Sequence, residues 1–198
     1  MKVLAVTGGI GCGKSHIVTI FKAMGVPAYD TDSRAKELYD ESESLKGSLV
    51  KILGDDILDA SGRISKDVMA KKIFSNRDLL QRVEGVVHPA VVEDFNLWKE
   101  SQSNRGSNFV IIESAIFLEK PIFEGVADRV LVVTAPIDLR IKRVQSRSQL
   151  SKEQVLERIN NQWSDEQRAA MGDFVIHSDE SSPLIPQVIS IYNQVNNL

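Results

Sequence analysis

The chain has 198 residues, 42% of them apolar and 26% charged, with a formal net charge of −3. That is an ordinary globular composition, long enough to bury a core without disulfides, and it lacks the basic excess expected of a nucleic-acid-binding protein. The single cysteine, Cys12, excludes an intramolecular disulfide and a multi-cysteine metal site and fits a reducing compartment such as the cytoplasm, and no run of 18 apolar residues is present to span a membrane.

The first predicted strand, Val3–Thr7, runs into Gly8-Gly9-Ile10-Gly11-Cys12-Gly13-Lys14-Ser15, which fits G-x-x-x-x-G-K-[ST]. A helix follows, with Ile17, Val18, Ile20, Phe21 and Met24 at helical spacing and Gly25 as its stop. Strand before and helix after are the context a phosphate-binding loop requires. Its glycines let the backbone wrap an anion and aim N–H groups inward. The helix dipole adds only about 0.3–1 kcal/mol, so a triphosphate needs a full charge as well. Lys14 supplies that charge for the β- and γ-phosphates, and Ser15 supplies an oxygen for Mg²⁺. The expected ATP-binding set is Gly11, Cys12, Gly13, Lys14, Ser15 and His16. Cys12 reads as a small side chain filling a variable position, and His16 as a first-turn residue that contributes its backbone.

The second predicted strand, Pro27–Asp30, ends in Asp30-Thr31-Asp32. Ligands of doubly wound sheets sit beyond the carboxyl ends of strands, so both carboxylates are candidates for receiving a hydroxyl proton or holding Mg²⁺ through water. The competing reading is a helix N-cap. Residues 33–108 then read as a mostly helical insertion. Its 12 basic and 13 acidic residues balance, so it is no nucleic-acid patch. A polar loop, Ser101–Asn108, precedes the third strand, Phe109–Glu113. A fourth strand, Val130–Thr134, leads to Pro136, which opens a helix carrying Arg140, Lys142, Arg143 and Arg147. Spacings of three and four place Arg140, Arg143 and Arg147 on one face, where like charges cost about 0.2–0.5 kcal/mol per pair unless neutralised. A phosphate would neutralise them, which suggests a lid; a solvated face is the alternative. Ser151-Lys152-Glu153-Gln154 is a capping box, and the fifth strand is Phe174–His177.

Strands alternating with helices predict an α/β fold, a five-stranded parallel sheet flanked by helices in a P-loop-type core. The expected division is a core of 1–32 with 109–137 and 170–198, a helical acceptor lobe of 33–108 and a lid region of 138–169. No N-K-x-D guanine motif is present, which argues against a GTPase switch. A small-molecule kinase is the preferred reading, with nucleoside and nucleoside monophosphate kinases sharing the same parts. Nothing in the sequence specifies an oligomeric state.

Several segments together resemble the dephospho-coenzyme A kinases. Thr7–Ser15 looks like that family's T-G-G-I-G-x-G-K-S, and Asp30-Thr31-Asp32 like its D-x-D. Phe74-Ser75-Asn76 and Val87-His88-Pro89 are similar to its F-S-[DN] and H-P elements, and Ala115–Glu119 to its P-L-L-F-E. Asp138–Arg143 and Arg158-Ile159-Asn160-Asn161-Gln162 match its later arginine and R-I-x-x-Q segments. Glu113 stands where the family usually has Asp, Ala115 where it has Pro, and Lys36 and Lys66 where arginine is common. His177-Ser178-Asp179-Glu180 replaces an N-D-G-like turn. The resemblance implies transfer of the ATP γ-phosphoryl group to the 3′-hydroxyl of dephospho-coenzyme A, the last step of coenzyme A synthesis, with Mg²⁺. It implies Asp32 as base, Lys14 as phosphate clamp, Arg140 as a transition-state cation, and Asp32, Lys36 and His88 near the acceptor. ATP and dephospho-coenzyme A are the expected partners, with no nucleic acid and no membrane.

Overall fold

A computed structural model describes residues 1–74, 76–179 and 181–197. Ser75 and Glu180, which entered the motif comparison above, lie outside the described residues. Five strands form one wholly parallel sheet: β1 (Lys2–Thr7), β2 (Ala28–Asp30), β3 (Phe109–Glu113), β4 (Arg129–Thr134) and β5 (Phe174–His177), in the order β2-β3-β1-β4-β5. β1 is central. Val6 pairs with Glu113 on one side and with Leu131 on the other. Leu4, Ala5 and Val6 are fully buried, as are Val110 to Ile112 and Leu131 to Val133. Strands covered on both faces need continuous apolar runs, which is why the sequence shows them without alternation.

The chain divides into two compact units, Met1–Asp30 with Lys99–Leu198, and Thr31–Trp98. In the first, α1 (Lys14–Ala23) buries Ile17, Val18 and Phe21, and α9 (Leu184–Asn196) buries Val188, Ile191 and Val195 in the same core cluster. Each such side chain contributes about 1.5–3 kcal/mol by leaving water. Cys12 belongs to this cluster too, fully buried and free. The region of 138–169 forms α6 (Ile137–Arg147), α7 (Lys152–Asn160) and α8 (Asp165–Ala169). A small separate core of Ile141, Val144 and Val155, with Ile10, Leu150, Leu156 and Ile159 packed against it, ties α6 and α7 to the loop after β1. The expected capping box at Ser151 is present, and a second one, Ser164 with Gln167, starts α8. A parallel sheet in this order, with a glycine loop between its central strand and α1, is the core of a P-loop nucleoside-triphosphate-binding protein.

The second unit holds α2 (Thr31–Glu41), α3 (Glu43–Leu53), α4 (Lys66–Phe74) and most of α5 (Arg77–Ser103). Two features differ from the sequence expectation. The polar run starting at Ser101 begins inside α5, with the turn confined to residues 104–106. The residue before a proline is normally extended, yet His88 lies mid-helix, because α5 continues through Pro89. A proline there costs about 3 kcal/mol. Val83, Val87, Val91 and Phe95, at four-residue intervals, are all buried. Four such burials, at about 1.5–3 kcal/mol each, outweigh the proline. No helix among the described residues is long and apolar enough to cross a membrane.

Candidate active site

The loop from Gly8 to Gly13 springs from the carboxyl end of the central strand and feeds α1. Its glycines are required by proximity as much as by dihedral angle. Gly11 has φ +80°, and a Cβ there would lie 2.6 Å from the carbonyl oxygen of Arg140. At Gly9 a Cβ would lie 2.1 Å from Arg140 Nη2. The loop and α6 are thus in backbone contact, and only hydrogen fits between them.

Lys14 Nζ donates to the carbonyls of Gly8 (2.9 Å) and Gly9 (3.3 Å). Ser15 Oγ donates to Glu113 Oε1 at 2.8 Å, and Ser15 and His16 are exposed on the first turn of α1. Asp30 ends β2 in register with Glu113, so the carboxyl ends of β2 and β3 carry adjacent acids. Glu113 itself is largely buried.

Arg140 and Arg143 reach the loop from α6. Arg140 is only 5% exposed. Its Nε donates to Ile10 O at 2.9 Å and its Nη1 to Asp165 Oδ1 at 3.2 Å. Its Nη2 is buried and has no hydrogen-bond partner among the described residues. Arg143 donates from Nη1 to Cys12 O and Ser178 Oγ, both at 3.2 Å, and from Nη2 to Ser178 O at 3.1 Å. Arg147, at the end of α6, is exposed. The charge of Arg140 is therefore met by a carboxylate, Asp165, that sequence spacing did not single out.

Asp165 in turn lies 3.6 Å from Arg168 Nη1. Arg168 is fully buried, and its Nη2 donates to Glu119 Oε1 at 2.5 Å and its Nη1 to Trp163 O at 2.6 Å. Two arginines and two carboxylates thus form a balanced chain from the segment after β3 to the phosphate loop. A cavity of about 540 Å³ opens beside it, lined by Pro136, Arg140, Ile159, Trp163 and Asp165 among others. Removing one partner of a buried ion pair leaves an uncompensated charge. Glu119→Ala is accordingly expected to lower stability by about 3–5 kcal/mol, read from urea denaturation. An unchanged midpoint would show that the pair stabilises nothing.

In the second unit, Asp32 occupies the first turn of α2 rather than the cap, and Lys36 lies one turn further on; both are exposed. Arg34 fixes this helix to α5. Its Nη2 and Nε donate to Asp94 at 2.9 and 3.1 Å, and it also meets Glu37 and Glu41. Asp94 above all holds the Arg34 guanidinium protonated beyond its ordinary range. Burial, reinforced by the Asp32 charge, pushes the Tyr39 phenol up. His88 is half-buried on α5.

Comparison with known proteins agrees with this arrangement. The family model for dephospho-CoA kinase (CoaE) matches residues 2–183. A dephospho-CoA kinase of Porphyromonas gingivalis strain W83 is 36% identical over 196 residues, covering 98% of this chain and 95% of its own length. A solved protein from Thermus thermophilus superposes with a TM-score of 0.79 at 28% identity, over 100% of this chain and 97% of that one. The dephospho-CoA kinase of Campylobacter jejuni shares the fold, with a TM-score of 0.72 at 22% identity, over 100% of this chain and 98% of that one. With a family model matched over nearly its whole length, the chain belongs to the dephospho-CoA kinase family.

Proposed function

We propose that this chain transfers the γ-phosphoryl group of ATP to the 3′-hydroxyl of dephospho-coenzyme A. The observation that carries this reading is the loop after β1, with Lys14 folded onto its carbonyls and Arg140 held against its backbone. Family membership supplies the acceptor.

Gly11 to His16 cradle the triphosphate. Lys14 exchanges two neutral carbonyls for phosphate oxygens. In the loop the ammonium meets only carbonyl dipoles, whereas the nucleotide offers full negative charges, so Coulomb attraction moves it to the phosphates. Arg140 offers Nη2 to the transferring group, while its other nitrogens stay committed to Ile10 and Asp165. Arg143 and Arg147 complete the lid set, whose closure excludes water as a competing acceptor. Asp32 accepts the proton of the incoming hydroxyl, and Lys36 and His88 contact the acceptor. The hydroxyl oxygen attacks in line, the bond to the β-phosphate bridging oxygen breaks, and ADP leaves without a phosphoenzyme.

Ser15 Oγ and Glu113 Oε1, 2.8 Å apart, are the hard oxygen donors that suit Mg²⁺. Ser15 would hold the ion directly and Glu113 through water. Among the described residues no group of three or more His, Cys, Asp or Glu could hold a metal. Bound there, Mg²⁺ supplies neutralisation of phosphate charge. We place the activity in the cytoplasm.

Radiolabelled ATP offered with dephospho-coenzyme A, nucleosides and nucleoside monophosphates tests the proposal. Label is expected on dephospho-coenzyme A alone. Preferential labelling of a nucleoside or its monophosphate, or of nothing, would overturn it.

A further inference from the structure

The segment Arg158–Gln162 has no role in the reaction as described, yet its last side chain bonds to the phosphate loop. Gln162 Oε1 accepts the backbone N–H of Ile10 at 2.8 Å. On the other side of the same residue, Arg140 Nε donates to Ile10 O. The Ile10 side chain packs against the small core of Ile141, Val144 and Val155. Ile10 is therefore held at its side chain and at both of its peptide groups by residues of 138–169.

Peptide geometry gives those contacts a direction. No cis bond occurs among the described residues, and in a planar trans peptide the N–H and C=O point opposite ways. The N–H of Ile10 and the carbonyl of Gly9 belong to one peptide. With the N–H turned to Gln162, the Gly9 carbonyl faces the other way. There it receives Lys14 Nζ and the N–H of Cys12, both at 3.3 Å. The next peptide repeats the logic. Arg140 fixes the Ile10 carbonyl, so the Gly11 N–H is aimed away from Arg140 Nε.

We infer that Gln162 is a positioning residue for nucleotide binding. It sets the plane of the Gly9–Ile10 peptide, and through the Gly9 carbonyl it sets the station from which Lys14 meets the phosphates. The end of α7 supplies the fixed point, because Gln162 N donates to Ile159 O at 3.1 Å. Without its acceptor, the Ile10 N–H is a donor left unpaired in a part-buried place, and the peptide turns to find another partner. The carbonyl on its far side turns with it. The inference rests on the nucleotide half of the proposed function and not on the identity of the acceptor.

Gln162→Met keeps length and approximate volume and removes the oxygen. Three readings on this variant and the parent chain decide the matter. A non-hydrolysable ATP analogue with magnesium, titrated by calorimetry, is expected to bind about 5- to 30-fold more weakly. The Ile10 amide, followed by NMR hydrogen exchange, is expected to exchange faster. The KM for dephospho-coenzyme A is expected to stay within about twofold, since only nucleotide binding is touched. Gln162→Glu retains an acceptor oxygen and is expected to keep Ile10 exchange slow. Unchanged analogue affinity in Gln162→Met overturns the inference. So does weakened affinity with unaltered Ile10 exchange, a matching rise in acceptor KM, or exchange in Gln162→Glu as fast as in Gln162→Met. A parent chain that binds the analogue yet leaves dephospho-coenzyme A unmodified sinks the acceptor assignment and leaves this inference standing. A parent that does not bind the analogue sinks both.

Discussion

Asp32→Asn is expected to reduce kcat by about 10²- to 10⁴-fold while ATP affinity stays nearly intact, the range for a lost general base. The substitution keeps the shape of the side chain and one oxygen. Asp32 lies in the first turn of α2, where a negative charge is favourable by no more than about 0.3–1 kcal/mol, so the fold tolerates the change. The proton-accepting capacity is removed together with the negative charge. Rapid-quench kinetics with saturating substrates, beside calorimetry of the nucleotide, separates chemistry from binding. Turnover within a few-fold of the parent would mean that another group takes the proton. An equal loss of ATP affinity would mean that Asp32 supports the phosphate loop instead. A companion signal is available in Tyr39, whose phenol the Asp32 charge helps push up. Neutralising Asp32 should let Tyr39 ionise at lower pH.

Lys14→Ala is expected to lower both nucleotide affinity and rate, with kcat down by about 10²- to 10³-fold, as for loss of a preorganised charge-stabilising donor. The structure argues for a double effect. The ammonium rests on the Gly8 and Gly9 carbonyls, within the loop proposed to hold the phosphates. A group poised there contributes to ground-state binding. It contributes again as charge develops on the transferring phosphoryl group. Unchanged affinity for the ATP analogue would count against the phosphate-loop assignment as a whole. An affinity loss with kcat intact would confine Lys14 to binding.

The sheet was legible because burial on both faces demands unbroken apolar runs, and Val3–Thr7, Phe109–Glu113 and Phe174–His177 stand at or within one residue of the observed strands. The loop was legible because its glycine spacing stood between an apolar run and a helical pattern, the context the motif requires, and β1 and α1 flank it. The arginines of α6 were harder. Helical period places Arg140, Arg143 and Arg147 together, yet Arg147 lies about 10 Å further along the axis from Arg140 and is exposed. Period fixes direction around a helix; what lies opposite each turn is a tertiary matter. The ties that shape the site were illegible for the same reason. Gln162 meets Ile10 across 152 residues of chain, and Glu119 meets Arg168 across 49. The Ser164 capping box was a local signal that could have marked the start of α8, and with it Asp165. His88 and Pro89 show the reverse case, in which a local helix breaker is overruled by four buried side chains on one stripe of α5.

Cys12 gives the phosphate loop one last property. Its thiol is wholly buried in the main core and is the chain's lone sulfhydryl. Thiolate chemistry needs contact with a reagent, so alkylation or oxidation here waits upon opening of the loop and the core beneath it. The rate at which a maleimide labels the intact protein is therefore a clock for that opening, and any ligand that tightens the loop slows the clock.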